Sequence, residues 1–334
     1  MKRTLLLTTT LLLWCTLHAQ DLSQTIVADP GNFLCQPGVL HKSPGKGLSL
    51  EYTTLPSFRV RPSNRDFGEN VRRNERFNFK IKIPCINHHG FKVLGGLQYQ
   101  LERYHFSEAD ELELPLFHRL NSADLKTARA ALYVSKSLNH KFYTSFRLGA
   151  TWSGDYDGAL SFQNRYATYR VAGVFGIKRN ESLEYGFGAL FSKSFRRTTL
   201  LPFGFYNRTF NHKWGIETAI PVKFMLRHNI SPRNLVLLGG EYSSRSYSID
   251  VAETPRLPSI FHYRRAYLLF SATFQQQLTA WTWLELKAGF ADHLPARVRN
   301  TALNETTRVE QGNSPYFQLG FFLSPPKNAC KPRK

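Results

Sequence analysis

Apolar and polar residues alternate along most of the chain from Leu48 onward. At RFNFKIKIP, residues 76–84, one side of an extended chain carries phenylalanine and isoleucine, and the other side carries asparagine and two lysines. This period of two predicts strands with one apolar face. The apolar face would form the core of a water-soluble sandwich, whereas in a membrane barrel it would face lipid.

The same alternation recurs along the chain, and the lengths of the connections distinguish the two folds. It predicts strands at 48–55, 76–84, 91–104, 127–137, 141–152, 165–178, 182–193, 199–209, 234–249, 263–277, 282–291 and 315–323. Short turns (INHHG, LNHK, KRNE, FNHK and SPRN) alternate with longer polar segments at 56–75, 104–126, 153–164 and 250–262. This alternation is typical of an up-and-down transmembrane barrel, with tight turns at the periplasmic end.

The stretch WGIETAIPVKFMLRHN decides the strand count. A single strand over 213–228 would place the next long loop at the wrong end of the barrel. Proline interrupts a strand ladder, so Pro221 predicts a hairpin of two short strands, 213–220 and 222–229. We therefore expect an all-β fold, an up-and-down antiparallel transmembrane β-barrel of about fourteen strands, or twelve if short strands merge.

The amino terminus indicates export. Residues 1–19 combine Lys2 and Arg3 with an apolar run and the sequence LHA, as in a signal peptide. We expect residues 20–46 to form an irregular periplasmic lead-in, 47–323 the outer-membrane barrel and 324–334 a basic periplasmic tail. Beyond the amino terminus no apolar stretch approaches the roughly 20 residues of a membrane-spanning helix, so the sequence excludes a helical membrane bundle.

The chain is strongly basic, with a formal charge of +20. Nucleic acid is not an expected partner, because an exported chain rarely meets it and the basic residues are scattered without a helix-turn-helix or zinc pattern. The alternatives are a surface beside anionic lipid headgroups, including lipopolysaccharide, a lumen that favours anions, and a solvated basic face.

The last predicted strand resembles a segment found in other membrane barrels. SPYFQLGFFL alternates aromatic and aliphatic residues up to Leu323 and is similar to the assembly signal of Gram-negative outer-membrane barrels. Together with YQLERYHF and IPVKFMLRHNISPRNLVLLGGEYSSRSYSI, it resembles an uncharacterised family of such barrels over about residues 45–323. The resemblance implies a location in the outer membrane and contact with the barrel-assembly machinery through the last strand. The tail SPPKNACKPRK departs from this pattern.

If the apolar sides face lipid, the charged residues between them face the lumen. The expected lumen-lining residues are Lys80, Lys82, Lys92, Arg147, Arg170, Lys223, Arg227, Arg265, Glu102, Glu184, Glu217 and Glu285. Excess positive charge favours anions in a pore. The first hypothesis is thus a pore or transport barrel for small anionic solutes. The second is a closed structural or binding barrel whose basic outer residues, Arg59, Arg61, Arg65, Arg72 and Arg73, bind lipopolysaccharide or a protein.

Few residues suggest other chemistry. Cys35, Cys85 and Cys330 are candidates for one disulfide, with no pairing favoured. His88 and His89 lack a spaced second pair of ligands, so we expect neither a metal nor a cofactor. A third hypothesis, an outer-membrane hydrolase, would rest on His105 and Ser107, but no third partner is evident. We do not expect an enzyme, and the oligomeric state is left open.

Overall fold

A computed structural model describes residues 39–63, 68–88, 90–107, 115–194, 197–254, 257–300 and 306–325. These residues form one short α-helix, one 3-10 turn (Asn164–Tyr166) and a single large sheet. The elements are β1 (Leu48–Pro62), β2 (Glu69–His88), β3 (Phe91–Phe106), α1 (Pro115–Ser122), β4 (Leu125–Ser137), β5 (Phe142–Gly154), β6 (Ala167–Asn180), β7 (Leu183–Ser194), β8 (Arg197–Thr209), β9 (Trp214–Ile220), β10 (Lys223–Asn229), β11 (Asn234–Thr254), β12 (Leu257–Gln277), β13 (Thr282–Asn300), β14 (Thr306–Gln311) and β15 (Ser314–Leu323). No helix in these ranges is both long enough and apolar enough to cross a membrane.

The sheet closes on itself as a barrel. Each strand from β1 to β13 pairs antiparallel with its neighbours in sequence. Two strands, β14 and β15, share the position between β13 and β1. Strand β14 pairs with the parts of β13 and β1 near one end of the barrel, and β15 pairs with the rest of both strands. The fifteen strands therefore occupy fourteen positions around the barrel, which confirms the predicted fold class.

The connections alternate between the two ends as expected. The turns after β2, β4, β6, β8, β10 and β12 lie at the end where β1 begins and β15 finishes. The split at Pro221 is confirmed, because β9 ends at Ile220 and β10 begins at Lys223. We refer to the end with these turns as the turn end and to the opposite one as the outer end.

The prediction of a loop is wrong for two segments. Residues 56–75 and 250–262 are largely strand, because β1 and β2 pair as far as Val60 and Glu69, and β11 and β12 pair as far as Thr254 and Leu257. Strands β13 and β14 extend this outer wall. In these arms apolar residues face inward and charged residues face outward, the reverse of the pattern that predicts the membrane strands.

The change of phase divides the barrel into two zones. In the middle of the barrel apolar side chains face outward, as with Phe187 and Phe270, which are 64% and 57% exposed. In the outer arms Phe58 and Val60 are buried inside, while Arg61 faces out. Register shifts at Val71/Arg73 in β2 and at Arg264/Ala266 against β13 accompany the inversion. In the middle of the barrel the apolar side chains face hydrocarbon. In the outer arms, which lie outside the hydrocarbon, they face the interior and are shielded from water.

An apolar core fills the outer end. Helix α1 places Leu116, Phe117 and Leu120 into it, and Phe117 packs on Phe106 with ring centroids 5.6 Å apart. The core also contains Leu55, Phe58, Val60, Val71, Tyr104, Leu125, Tyr247, Ile249, Val251, Tyr263, Tyr267, Leu269, Ala291, Ala296, Val298, Val309 and Tyr316. This packing leaves the polar part of the lumen beneath it.

The outer end is also narrower than the middle of the barrel. Gly154, at the end of β5, pairs in parallel with Ser248 of β11. A Cβ atom at position 154 would lie 2.4 Å from the Ser248 carbonyl oxygen, so only glycine allows this approach. Because β5 meets β11 there, strands β6–β10 do not contribute to the barrel wall at the outer end. They form only the part of the wall nearer the turn end.

Candidate functional site: the charged lumen

A polar cavity of about 510 Å³ lies in the lumen beneath the apolar core. Its walls come from strands around most of the barrel, since alternate residues of each strand face inward. The charged residues that line it are Lys46, Glu51, Arg76, Lys80, Arg129, Lys223, Glu241, Arg245, Glu285 and Lys287. The cavity is thus a partly open ionic environment with both signs of charge.

One wall of the lumen carries a cationic patch, defined as Lys80, Lys82, Arg129, Arg147 and Arg170. These side chains come from β2, β4, β5 and β6. The residues of the patch contact polar and aromatic groups. Lys82 Nζ and Arg147 Cζ each lie over the Tyr133 ring, at 5.5 and 5.1 Å from its centroid. Arg129 and Arg170 both donate to Thr151 Oγ1, at 3.1 and 3.3 Å.

In the described part of the chain, no residue of the cationic patch forms an ion pair with a carboxylate. Their hydrogen bonds go to neutral acceptors, such as Gln98 Oε1, which accepts from Arg129 Nη1 at 3.1 Å. Five cations on β2, β4, β5 and β6, none within ion-pairing distance of a carboxylate in the described ranges, produce a local positive field. In a confined space of low dielectric, that field acts strongly on any anion that enters.

Nearer the outer end the lumen has the reverse character, because the charges around Glu102 of β3, a strand that lies between β2 and β4, are paired. Glu102, fully buried, accepts from Arg265 and from the Tyr247 hydroxyl, and Arg245 lies 3.6 Å away. The amide of Asn74 completes this cluster by donating to Glu102 at 3.1 Å. Such pairing supplies the partners that buried charges require and fixes this side of the lumen.

Residues 39–47, the base segment, cross the turn end of the barrel. At one side the Leu40 amide donates to the Glu181 carbonyl in the β6–β7 turn at 2.8 Å. At the other side the Gly47 amide donates to the Leu323 carbonyl of β15 at 2.8 Å. Between them Ser43 donates to both carboxylate oxygens of Glu217, at 2.8 and 2.6 Å. The segment therefore spans nearly opposite strands and covers this end of the lumen.

Lys46 anchors the base segment. Its Nζ lies 2.8 Å from both Glu51 Oε1 and Glu285 Oε1, and 5.3 Å from the centroid of the Phe322 ring. Burial alone would lower the pKa of Lys46, but the carboxylates of Glu285 and Glu51 outweigh it and raise the pKa above its usual range. Lys46 is therefore held in its charged form.

The residues expected to line the lumen lie on inward faces. Lys80, Lys223 and Glu285 border the cavity itself. Three others are buried at the turn end: Arg227 donates to Glu217 at 3.0 Å, and Glu184 accepts from the Tyr143 hydroxyl at 2.5 Å. The rest, Lys82, Lys92, Glu102, Arg147, Arg170 and Arg265, follow the inward alternation of their strands.

Sequence reasoning missed several charged residues of the lumen. They are Lys46, Glu51, Arg76, Arg129, Glu241, Arg245 and Lys287. The signal for Arg129 was present, because it shares its phase with Thr127 and Tyr133 in a predicted strand. Nothing in the pattern marked Lys46, because the base segment has no period and its position depends on contacts with distant strands.

The other sequence candidates are dispersed. Cys35, Cys330, His89 and Arg65 lie outside the described residues, and Cys85 sits near the turn end, where its thiol lies 3.7 Å from the Ile83 carbonyl. His105 Nε2 lies 3.2 Å from Glu75 rather than beside the hydroxyl of Ser107. Within the described ranges, no group of three or more His, Cys, Asp or Glu residues is arranged to hold a metal ion.

A second cavity, of about 930 Å³, opens at the outer rim between α1, residues 155–166 and β11. Two of its carboxylates are already engaged. Asp155 accepts from Arg119 Nε at 2.6 Å and from the Asp250 amide at 3.0 Å, and Asp250 accepts from Arg165 at 2.9 Å. These ion pairs and hydrogen bonds hold residues 155–166 against α1 and β11. The charged residues of this rim therefore have a structural role.

No protein-family model matches the chain, and no match to a curated protein was found. Solved structures of membrane barrels are similar in shape. The P. putida toluene transporter TodX aligns over 85% of this chain and 91% of its own, with 12% identity and a TM-score of 0.37. The β domain of the Bordetella autotransporter Brka aligns over 84% and 99%, with 13% identity and a TM-score of 0.27. The translocator domain of NalP from Neisseria meningitidis aligns over 85% and 90%, with 10% identity and a TM-score of 0.29. At these scores, none of them bears on the lumen or the cargo of this chain.

Proposed function

We propose that this chain is an outer-membrane barrel that transports small anionic solutes, with the cationic patch as the anion-attracting part of its lumen. The observation that carries the proposal is the patch of five inward cations, none of which forms an ion pair with a carboxylate of the described residues. Rings and clusters of basic side chains select anions in pores. The outward apolar belt of the middle zone supports a position in a bilayer.

The patch is a cluster of cations that neutral side chains hold. Arg129 and Arg170 share Thr151 Oγ1 as an acceptor, and Arg129 also donates to Gln98. These neutral acceptors compete with an entering anion for the guanidinium groups, which suits conduction because a solute must leave the site as well as enter it. The paired charges around Glu102 join β2 and β3 to β11 and β12 nearer the outer end and form no ion pair with the patch.

Both ends of the lumen are covered in this conformation, by the apolar core and by the base segment. The base segment is the easier cover to displace, because polar contacts and ion pairs hold it, whereas the outer core is closely packed. Transport by this barrel therefore includes an opening past the apolar core at the outer end as well as release of the base segment at the turn end.

The test is ion selectivity in planar bilayers. The triple variant Lys80→Glu, Lys82→Glu and Arg147→Glu should lower the anion-to-cation permeability ratio at least fivefold. The matched control, Lys193→Glu, Arg179→Glu and Arg208→Glu, has the same change of charge at exposed positions and should stay within twofold of the unmodified protein. An unchanged ratio in the lumen variant, or a folded barrel without conductance, would contradict the proposal.

One observation favours a second function, a closed barrel that binds through its outer surface. The apolar core seals the outer end with side chains from many strands, and the outer arms present Arg59, Arg61, Arg72 and Arg73 to solvent. This barrel would bind lipopolysaccharide or a protein without conducting. Replacing those arginines with glutamine should then abolish binding, and neither form should conduct even after the base segment is released.

The last strand is also consistent with assembly into the outer membrane. Phe317, Leu319, Phe321 and Leu323 of β15 face outward and are between 40% and 50% exposed. We infer that this face is presented to the barrel-assembly machinery. Deletion of residues 314–323 should leave the chain in the periplasm, as assayed by cell fractionation.

A further inference from the structure

Three arginines face one another directly across neighbouring strands. Arg264 of β12 is opposite Arg297 of β13, and Arg297 is in turn opposite Arg308 of β14. Directly opposed residues in antiparallel strands have Cβ atoms about 5 Å apart. We call these residues the arginine row.

The arginine row lies on the outside of the barrel. On each strand its members alternate with inward residues, since Tyr263, Ala296, Val298 and Val309 are all buried. Arg297 and Arg308 are exposed and Arg264 is half-buried. The row is therefore separated from the cationic patch by the barrel wall.

Nothing in the described ranges neutralises the row. None of its members forms an ion pair there, and the nearby carboxylate of Glu310 is taken by Arg61 at 2.6 Å. Like charges directly opposite each other destabilise a sheet. Three in succession are unfavourable unless an anion lies across them.

The height of the row indicates the source of that anion. Outward Leu268, Phe290 and Leu294 belong to the apolar belt and are 37–47% exposed. Arg264 lies four residues before Leu268 in β12, on the side of the outer end, which is ~13 Å along a strand. The row therefore stands just above the hydrocarbon boundary, at the level of lipid headgroups.

We propose that the arginine row binds the phosphorylated headgroup of a lipid in the outer leaflet, whose acyl chains lie against the apolar belt below. Guanidinium groups bind phosphate oxygens through paired hydrogen bonds, and the belt accommodates the chains. A lipid is favoured over a soluble anion because one ligand then satisfies both adjoining surfaces. The site does not depend on transport through the lumen.

The experiment measures lipid retention by native mass spectrometry on the full chain in detergent. The probes are bisphosphorylated lipid A and its fully dephosphorylated form. The row variant is Arg264→Gln, Arg297→Gln and Arg308→Gln. The matched control replaces Arg179, Arg208 and Arg233 with glutamine, which removes the same charge from exposed positions near the turn end. Heat-shifted gel mobility checks that each variant is folded, and the single variant Arg297→Gln serves if the triple does not fold.

We expect the row variant to bind the bisphosphorylated probe at least tenfold more weakly and the turn-end control to bind within twofold of the unmodified protein. The dephosphorylated probe should bind all forms weakly. Equal loss in both variants, or no preference for the phosphorylated probe, would overturn the proposal. Inorganic phosphate at the same concentration should not displace the lipid; full displacement would overturn the lipid assignment in favour of a free anion.

Discussion

Lys46 and Glu285 connect the base segment to the wall of β13 through a 2.8 Å ion pair, although 239 positions separate them in sequence. The same ammonium group binds Glu51 of β1. One side chain thus links the base segment to two strands. Polar contacts of this kind hold the base segment at the turn end.

Removal of this anchor should release the base segment. We expect Lys46→Ala to raise the open probability in planar bilayers several-fold, because Glu51 and Glu285 then lose their shared partner. The control is Lys42→Ala, whose ion pair with Glu184 is longer, at 4.0 Å, and whose effect should be smaller. Equal currents in Lys46→Ala and the unmodified protein would show that the segment does not limit conduction.

Truncation of the Phe117 side chain of helix α1 should destabilise the apolar core. Phe117 is 2% exposed, and Phe117→Ala should lower the free energy of unfolding by about 3–5 kcal/mol through lost burial and an unfilled cavity. Urea unfolding in detergent micelles measures this change. The neighbouring exposed residue provides the control, and His118→Ala should change stability by less than about 0.5 kcal/mol.

The buried cluster around Glu102 should be sensitive to its charge. Glu102→Gln leaves Arg265 without its carboxylate and should destabilise the barrel by about 3–5 kcal/mol. Adding Arg265→Gln should recover part of this loss, since the uncompensated charge is removed. Glu310→Gln breaks an exposed pair and should change stability by less than about 1 kcal/mol. Equal effects at positions 102 and 310 would refute a special role for the buried pair.

The junction between α1 and β4 should loosen in acid. Hydrogen bonds from Arg103, at 2.6 and 2.8 Å, lower the pKa of the Asp124 carboxyl. A carboxyl with a lowered pKa stabilises the fold above its unfolded pKa, near 3.8, and this stabilisation disappears as the pH falls through the lower folded value. Hydrogen exchange of residues 121–127 should therefore gain protection above pH 4. Asp124→Asn should lack this dependence.

The sequence determined the class of fold through its period of two and the alternation of short and long connections. Those features depend only on local alternation and turn residues, so a barrel of about fourteen strands and the inward phase of Lys80 and Lys82 were predictable. The hairpin at Pro221 was predictable for the same reason, since proline interrupts a ladder wherever it occurs.

The tertiary structure alone decided what covers the lumen and where charges are compensated. The arms at the outer end were not predictable as strands, because there apolar residues such as Phe58 and Val60 face inward, the reverse of the pattern in the membrane zone. The partners of Lys46 and the row formed by Arg264, Arg297 and Arg308 depend on which strands meet when the barrel closes. Alternation assigns each residue to a face, but only closure and register bring distant residues together.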